Sequence, residues 1–107
     1  GATEKSPMLA EDVRVLMKRS GLSSLAVVGA TEADGAGNVA AMLEGVQVSG
    51  AFDLSKDTKG VSTIAESDAI LLSVKEGAAS GKQLENALKQ MKISGTPVLG
   101  IVFISKK

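Results

Sequence analysis

The stretch Ser24 to Leu43, SLAVVGATEADGAGNVAAML, decides the fold: an apolar run, a glycine-rich turn, then apolar residues at helical spacing. It reads as strand, turn and helix. Such a turn aims backbone N–H groups and the positive end of a helix dipole at one spot, which suits a phosphate. A Walker A loop also needs G/A-x-x-x-x-G-K-[ST], and here Ala30 is followed by four residues, then Gly35, Ala36 and Gly37. No lysine reaches for a β- or γ-phosphate, and no hydroxyl waits for Mg²⁺. The expectation is a phosphate-loop scaffold that has lost, or never needed, an enzyme's chemistry.

Outward from this unit, the helix carries Val39, Ala40, Met42 and Leu43, and Gly45 closes it. Val46 to Phe52 is a weaker strand, because Ser49-Gly50 interrupts it. The polar run Asp53 to Gly60 leads to a short helix through Ser67, capped by Ser55 or Asp57, with Val61, Ile64 and Ala65 facing inward. Asp68 to Val74 is a second buried-type strand. A loop ending in a Ser80 cap follows, and Leu84, Ala87, Leu88 and Met91 form the core stripe of an amphipathic helix. Gly95 and Pro97 end it, Val98 to Ile104 is the last strand, and Ser105, Lys106 and Lys107 are expected to fray.

Before the first strand, Ser6 caps and Pro7 opens a helix whose buried face is Leu9, Val13, Leu16 and Met17. Glu11 and Asp12 lie early in it, Lys18 and Arg19 late, as the helix dipole favours, and Gly21 ends it. Helices alternating with buried-type strands predict an α/β fold: a small three-layer parallel sheet of about four strands in the order 2-1-3-4, P-loop or Rossmann-like. Residues 1–107 are read as one degenerate P-loop-like domain. Its ligand crevice would lie beside the first strand's C-terminal end, where the strand order reverses.

The composition excludes several classes of function. The 107 residues are 44% hydrophobic and 22% charged, which is a globular balance. Basic and acidic residues number 12 each and the only aromatics are Phe52 and Phe103, so neither a positive field nor a stacking platform invites nucleic acid. Histidine and cysteine are absent, which removes Ser/His/Asp and Cys/His catalysis, disulfides and thiolate metal sites. No apolar run is long enough to span a bilayer. Gly1-Ala2 reads as a cloning remnant, so the chain is expected to be a piece of a longer protein.

The pattern resembles the bacterial tyrosine kinases of capsule and exopolysaccharide synthesis, a branch of the ParA/MinD-like P-loop ATPases. More closely, it looks like the kinase-like cytoplasmic domain of polysaccharide chain-length determinant (co-polymerase) proteins. VVGATEADGAGNVAAML aligns without gaps on that family's V-T-S-A-T-P-G-E-G-K-S-T-V-A-A-N-L, with the lysine falling on Ala36 and the Ser-Thr pair on Gly37 and Asn38. ESDAILLSVKEG, a helix and GTPVLGIVFI are similar to A-D-x-V-x-L-V-x-x-x-G, helix, G-x-x-V-L-G-V-V-x-N, with Asp68, Gly77 and Gly100 matching and Ile104 in place of the asparagine. In the first helix, the family's ring-forming E-x-x-R-x-x-R is matched by Glu11 and Arg14, with Met17 third and Lys18 beside it. The second Walker aspartate strand, the D-x-x-P segment and the tyrosine-rich tail have no counterpart.

Each candidate site carries two readings. Thr31, Ala33, Asp34, Gly35, Ala36, Gly37 and Asn38 form either a residual anion loop of backbone N–H groups or a connecting turn of small residues. A charge-assisted hydrogen bond contributes roughly 1.5 to 3 kcal/mol, so the missing lysine alone weakens phosphate binding about 10- to 150-fold. Glu32 and Asp34 add repulsion. Asp53 and Asp57 read as metal ligands or, more simply, as caps and solvated carboxylates. Glu11, Arg14 and Lys18 are an oligomer contact if the resemblance holds, and otherwise a solvated helix face.

No catalytic residue, metal or cofactor is expected. The resemblance implies a non-catalytic domain regulating capsular or exopolysaccharide chain length by contact with itself, a partner kinase or a co-polymerase subunit. It would be cytoplasmic, tethered to the inner face of the membrane only through the parent protein. The alternative is a nucleotide- or phosphate-binding regulatory module.

Overall fold

The structure, a computed structural model, describes residues 6–56 and 60–105, with side chains from Leu9 onward. The expected roles of Ser6, Pro7, Asp57, Lys106 and Lys107 lie outside the described residues or side chains. The elements are α1 (Ser6–Arg19), β1 (Leu25–Gly29), α2 (Ala36–Ala41), β2 (Val48–Asp53), α3 (Gly60–Glu66), β3 (Ala69–Lys75), α4 (Gly81–Ser94) and β4 (Val98–Ile104). A single 3-10 turn, Glu32–Asp34, lies between β1 and α2. All strand pairs are parallel and the order is β2-β1-β3-β4, so the α/β class and the strand order match the sequence expectation.

The order follows from where apolar residues are continuous. All of β1 and the first five residues of β3 are buried, so these two strands take the centre, where helices cover both faces. From β1 the chain steps to one side and then returns across the sheet. Right-handed crossovers therefore place α2 on one face and α3 and α4 on the other. Val13 and Met17 of α1 and Val39 of α2 pack with Leu25, Val27 and Leu71 on the first face. Ile64, Ala87 and Met91 pack with Ala26, Val28, Ile70 and Leu72 on the second.

The ends of α1 and α4 use the signals read in the sequence, whereas α2 stops at Ala41 with Met42 as its cap instead of running through Leu43 to Gly45. Gly21, at φ +68°, ends α1: its N–H bonds Lys18 O and the next N–H, of Leu22, bonds Met17 O, the paired pattern of a Schellman cap. Ser80 Oγ accepts from Gln83 N–H while Gln83 Oε1 accepts from Ser80 N–H, a complete capping box for α4. Gly95, at φ +74°, closes that helix.

Four further expectations are corrected. Leu16 and Leu88 are 46% and 47% exposed rather than core, because each lies at the flank of its helix's stripe, beside the buried Met17 and Ala87. Ala65 is exposed, since α3 turns Gly60, Ile64 and then Ser67 inward. Ser55 does not cap α3; its N–H and hydroxyl both turn back to Asp53 Oδ1. Ser49 does not break β2 but bulges from it, the register passing from Leu25 opposite Val48 to Ala26 opposite Gly50. Among the described residues, no helix is long and apolar enough to cross a membrane.

Candidate functional site

At the C-terminal end of β1 the chain folds back on itself, and Gly29 makes that possible. A Cβ there would lie 3.1 Å from Asp34 Cβ and 3.2 Å from Thr31 O, closer than side chains ordinarily pack. The 3-10 turn then carries Asp34 inward until it is 1% exposed, and Gly35 at φ +73° redirects the chain into α2. This is the crevice where the sheet order reverses.

Asp34 is bonded at every available oxygen. Its Oδ2 accepts from Thr31 N–H at 2.9 Å and from the Thr31 hydroxyl at 3.1 Å. Its Oδ1 accepts from Lys75 N–H at 2.9 Å, and its backbone carbonyl accepts from the fully buried Ser73 hydroxyl at 2.6 Å. One carboxylate thereby ties the loop after β1 to the end of β3. The buried charge is stabilised by hydrogen bonds in place of a cation.

Two further loop donors are also occupied. Asp34 N–H bonds Thr31 O and Gly35 N–H bonds Glu32 O, both at 3.1 Å. A phosphate entering here would compete with a carboxylate already in place and with two closed turns. Nor does α2 compensate, because six residues make little of a helix dipole. Of the other loop residues, Ala36, the first of α2, is buried, while Ala33, Gly37 and Asn38 are exposed.

One cation reaches the crevice from outside the loop motif. The register that sets Gly29 beside Asp53 also brings the two following loops together, and Lys56 Nζ lies 2.9 Å from Glu32 Oε2. The hydrogen bond to Glu32, then its charge, hold the Lys56 ammonium above the ordinary lysine range; burial opposes this slightly and Asp53 adds to it. Both partners are 72% exposed, so the pair is a screened surface contact. Spacing within one loop carries no signal for a lysine supplied by the next.

Asp53 folds into a local turn, with Oδ1 bonded by Ser55, while its Oδ2 is buried and without a hydrogen-bond partner among the described residues. Among those residues, no group of three or more carboxylates is placed to hold a metal ion. Asp68 lies at the opposite end of the sheet. Its Oδ2 accepts from Ser23 N–H at 2.8 Å and Ser24 N–H at 3.1 Å, fastening the starts of β1 and β3 together.

Glu11, Arg14 and Lys18 are all exposed on α1. Arg14 is engaged within the chain: its guanidinium donates to Glu44 O, beside Gly45 at φ +80°. It therefore secures the turn after α2. Compared with protein-family models, with curated proteins and with solved structures, the chain matches none.

Proposed function

We propose that the chain is a non-catalytic α/β domain that works by protein contact. It keeps the outline of a phosphate-loop protein without the loop's chemistry. One observation carries this reading: the Asp34 carboxylate takes the N–H groups of Thr31 and Lys75, so the loop holds an anion of its own. On the motif resemblance, its place is a polysaccharide chain-length regulator, on the cytoplasmic side of a membrane to which the parent protein tethers it. Its partners there are a second copy, a kinase or a co-polymerase subunit.

Calorimetric titration with ATP and ADP, with and without Mg²⁺, tests the reading together with an ATP hydrolysis assay. No heat at millimolar nucleotide and no turnover are expected. The rival reading, a nucleotide- or phosphate-binding regulatory module, takes its support from Lys56, which brings a cation to the rim of the crevice. Binding without turnover, weakened by Lys56→Met, would establish that module. Hydrolysis abolished by changes at Gly35 or Asp53 would make the domain an enzyme.

A further inference from the structure

We propose that β4 pairs in antiparallel fashion with β4 of a second copy about a two-fold axis at Val102, joining two four-stranded sheets into one. The strand VLGIVFI has no charge and no proline, and among the described residues no further strand lies along its outer side. Sheet edges are ordinarily guarded by such devices, since their unpaired N–H and C=O groups recruit other strands. Both edge strands bulge, β2 at Ser49 and β4 at Leu99, but only β2 carries a charge, ending on Asp53, while Gly100 to Ile104 of β4 keep a regular register.

The backbone restricts the register, and the side chains choose within it. Ile104 O accepts from Glu76 N–H at 2.9 Å, so Ile104 turns its polar groups toward β3. Alternation then turns Val102 the same way and Ile101 and Phe103 outward. An axis at Val102 sets Ile101 opposite Phe103 of the second copy, and Phe103 opposite its Ile101. Both are outward-facing pairs, and each exchanges two N–H to C=O bonds, making four in all. A slip of one residue would set outward groups against inward ones.

The side chains agree with that register. Ile101 lies beside Leu72 and Phe103 beside Val74, on the face covered by α3 and α4, but α4 does not reach them and they are 63% and 66% exposed. In the pair each isoleucine meets a phenylalanine, a favoured cross-strand combination. Leu88 and Val98 are exposed at their margin. Together these four offer on the order of 400 Å² of apolar surface, within the range of the largest patch on an ordinary monomer. Strand pairing sets the two patches side by side and buries only part of them, on the order of several hundred Å² with the strand backbone, so the interface is of the small, transient class.

This interface supplies the partner for the contact-domain reading and rests on that reading for its purpose, yet the two fail separately. Nucleotide bound in the crevice would overturn the first and leave the dimer standing. The test is sedimentation of the full chain from about 1 µM to about 1 mM, a span chosen for a small interface. A monomer–dimer equilibrium is expected, and Ile101→Lys and Phe103→Lys, checked for folding by circular dichroism, should each shift it at least tenfold toward monomer. The chain has no cysteine, so Val102→Cys can form only intermolecular disulfides. It should cross-link on oxidation, whereas Ser105→Cys, set roughly 20 Å from its counterpart at about 3.4 Å per residue, should not. A chain monomeric throughout, a dimer indifferent to both lysines, or equal cross-linking by both cysteines overturns the proposal.

Discussion

Removing the Asp34 carboxylate strands two donors at once, because Thr31 N–H and Lys75 N–H have no other partner within the clasp. A buried donor left unmade costs about 1–3 kcal/mol and these two are part-buried, so Asp34→Ala should lose roughly 1–3 kcal/mol in urea unfolding. Asp34→Asn keeps one accepting oxygen and should lose about half as much. Gly29→Ala tests the same clasp from beneath: its methyl presses on Asp34 Cβ and Thr31 O, an overpacking that costs about 1–3 kcal/mol. Wild-type stability in both the Asp34→Ala and Gly29→Ala chains would mean that the loop is not held by this carboxylate. Lys56 gives a contrasting case. Its pKa is raised on folding, so its small contribution is complete below the ordinary lysine range and lost as pH climbs through the raised value. Lys56→Met should therefore unfold almost like the wild type at pH 7, and the remaining difference should vanish in strong alkali.

Among the elements, α4 was the most legible, since its cap, stripe and stop signal are all local. Ser80→Ala removes the acceptor for Gln83 N–H and should cost about 1 kcal/mol, read as a lower urea midpoint with unchanged slope. The central strands were equally plain, because five buried residues in a row admit few other readings. Periodicity misled at Leu16 and Leu88, where it reports a stripe but not which flank of it stays exposed. Only the strand order tells that β4 is an edge and that α4 leaves it partly bare. Half of the clasp was within reach of a sequence reading, as Thr31 and Asp34 are three apart. Its other half, Ser73 and Lys75, stands 39 and 41 residues away and joins it only through the pairing of β1 with β3.

For the molecule as a whole, a cold centre and an open edge imply two regimes of opening. Residues Ala26 to Val28 and Ile70 to Leu72 are covered on both faces, so their amides should exchange with solvent only through global unfolding. Along β4 the amides of Val102 and Ile104 are tied to the sheet while those of Ile101 and Phe103 face outward. The latter pair should exchange quickly in dilute protein and slow as concentration rises, because a second copy is the only ligand they need. Association with the folded chain alone stabilises it by mass action, about 2.7 kcal/mol when free partner is 100 times its Kd. The thermal midpoint of the wild type should therefore climb with protein concentration, and that of Phe103→Lys should not. Parallel slopes for the two proteins in calorimetric scans over a hundredfold range of concentration would place the self-contact elsewhere than on β4.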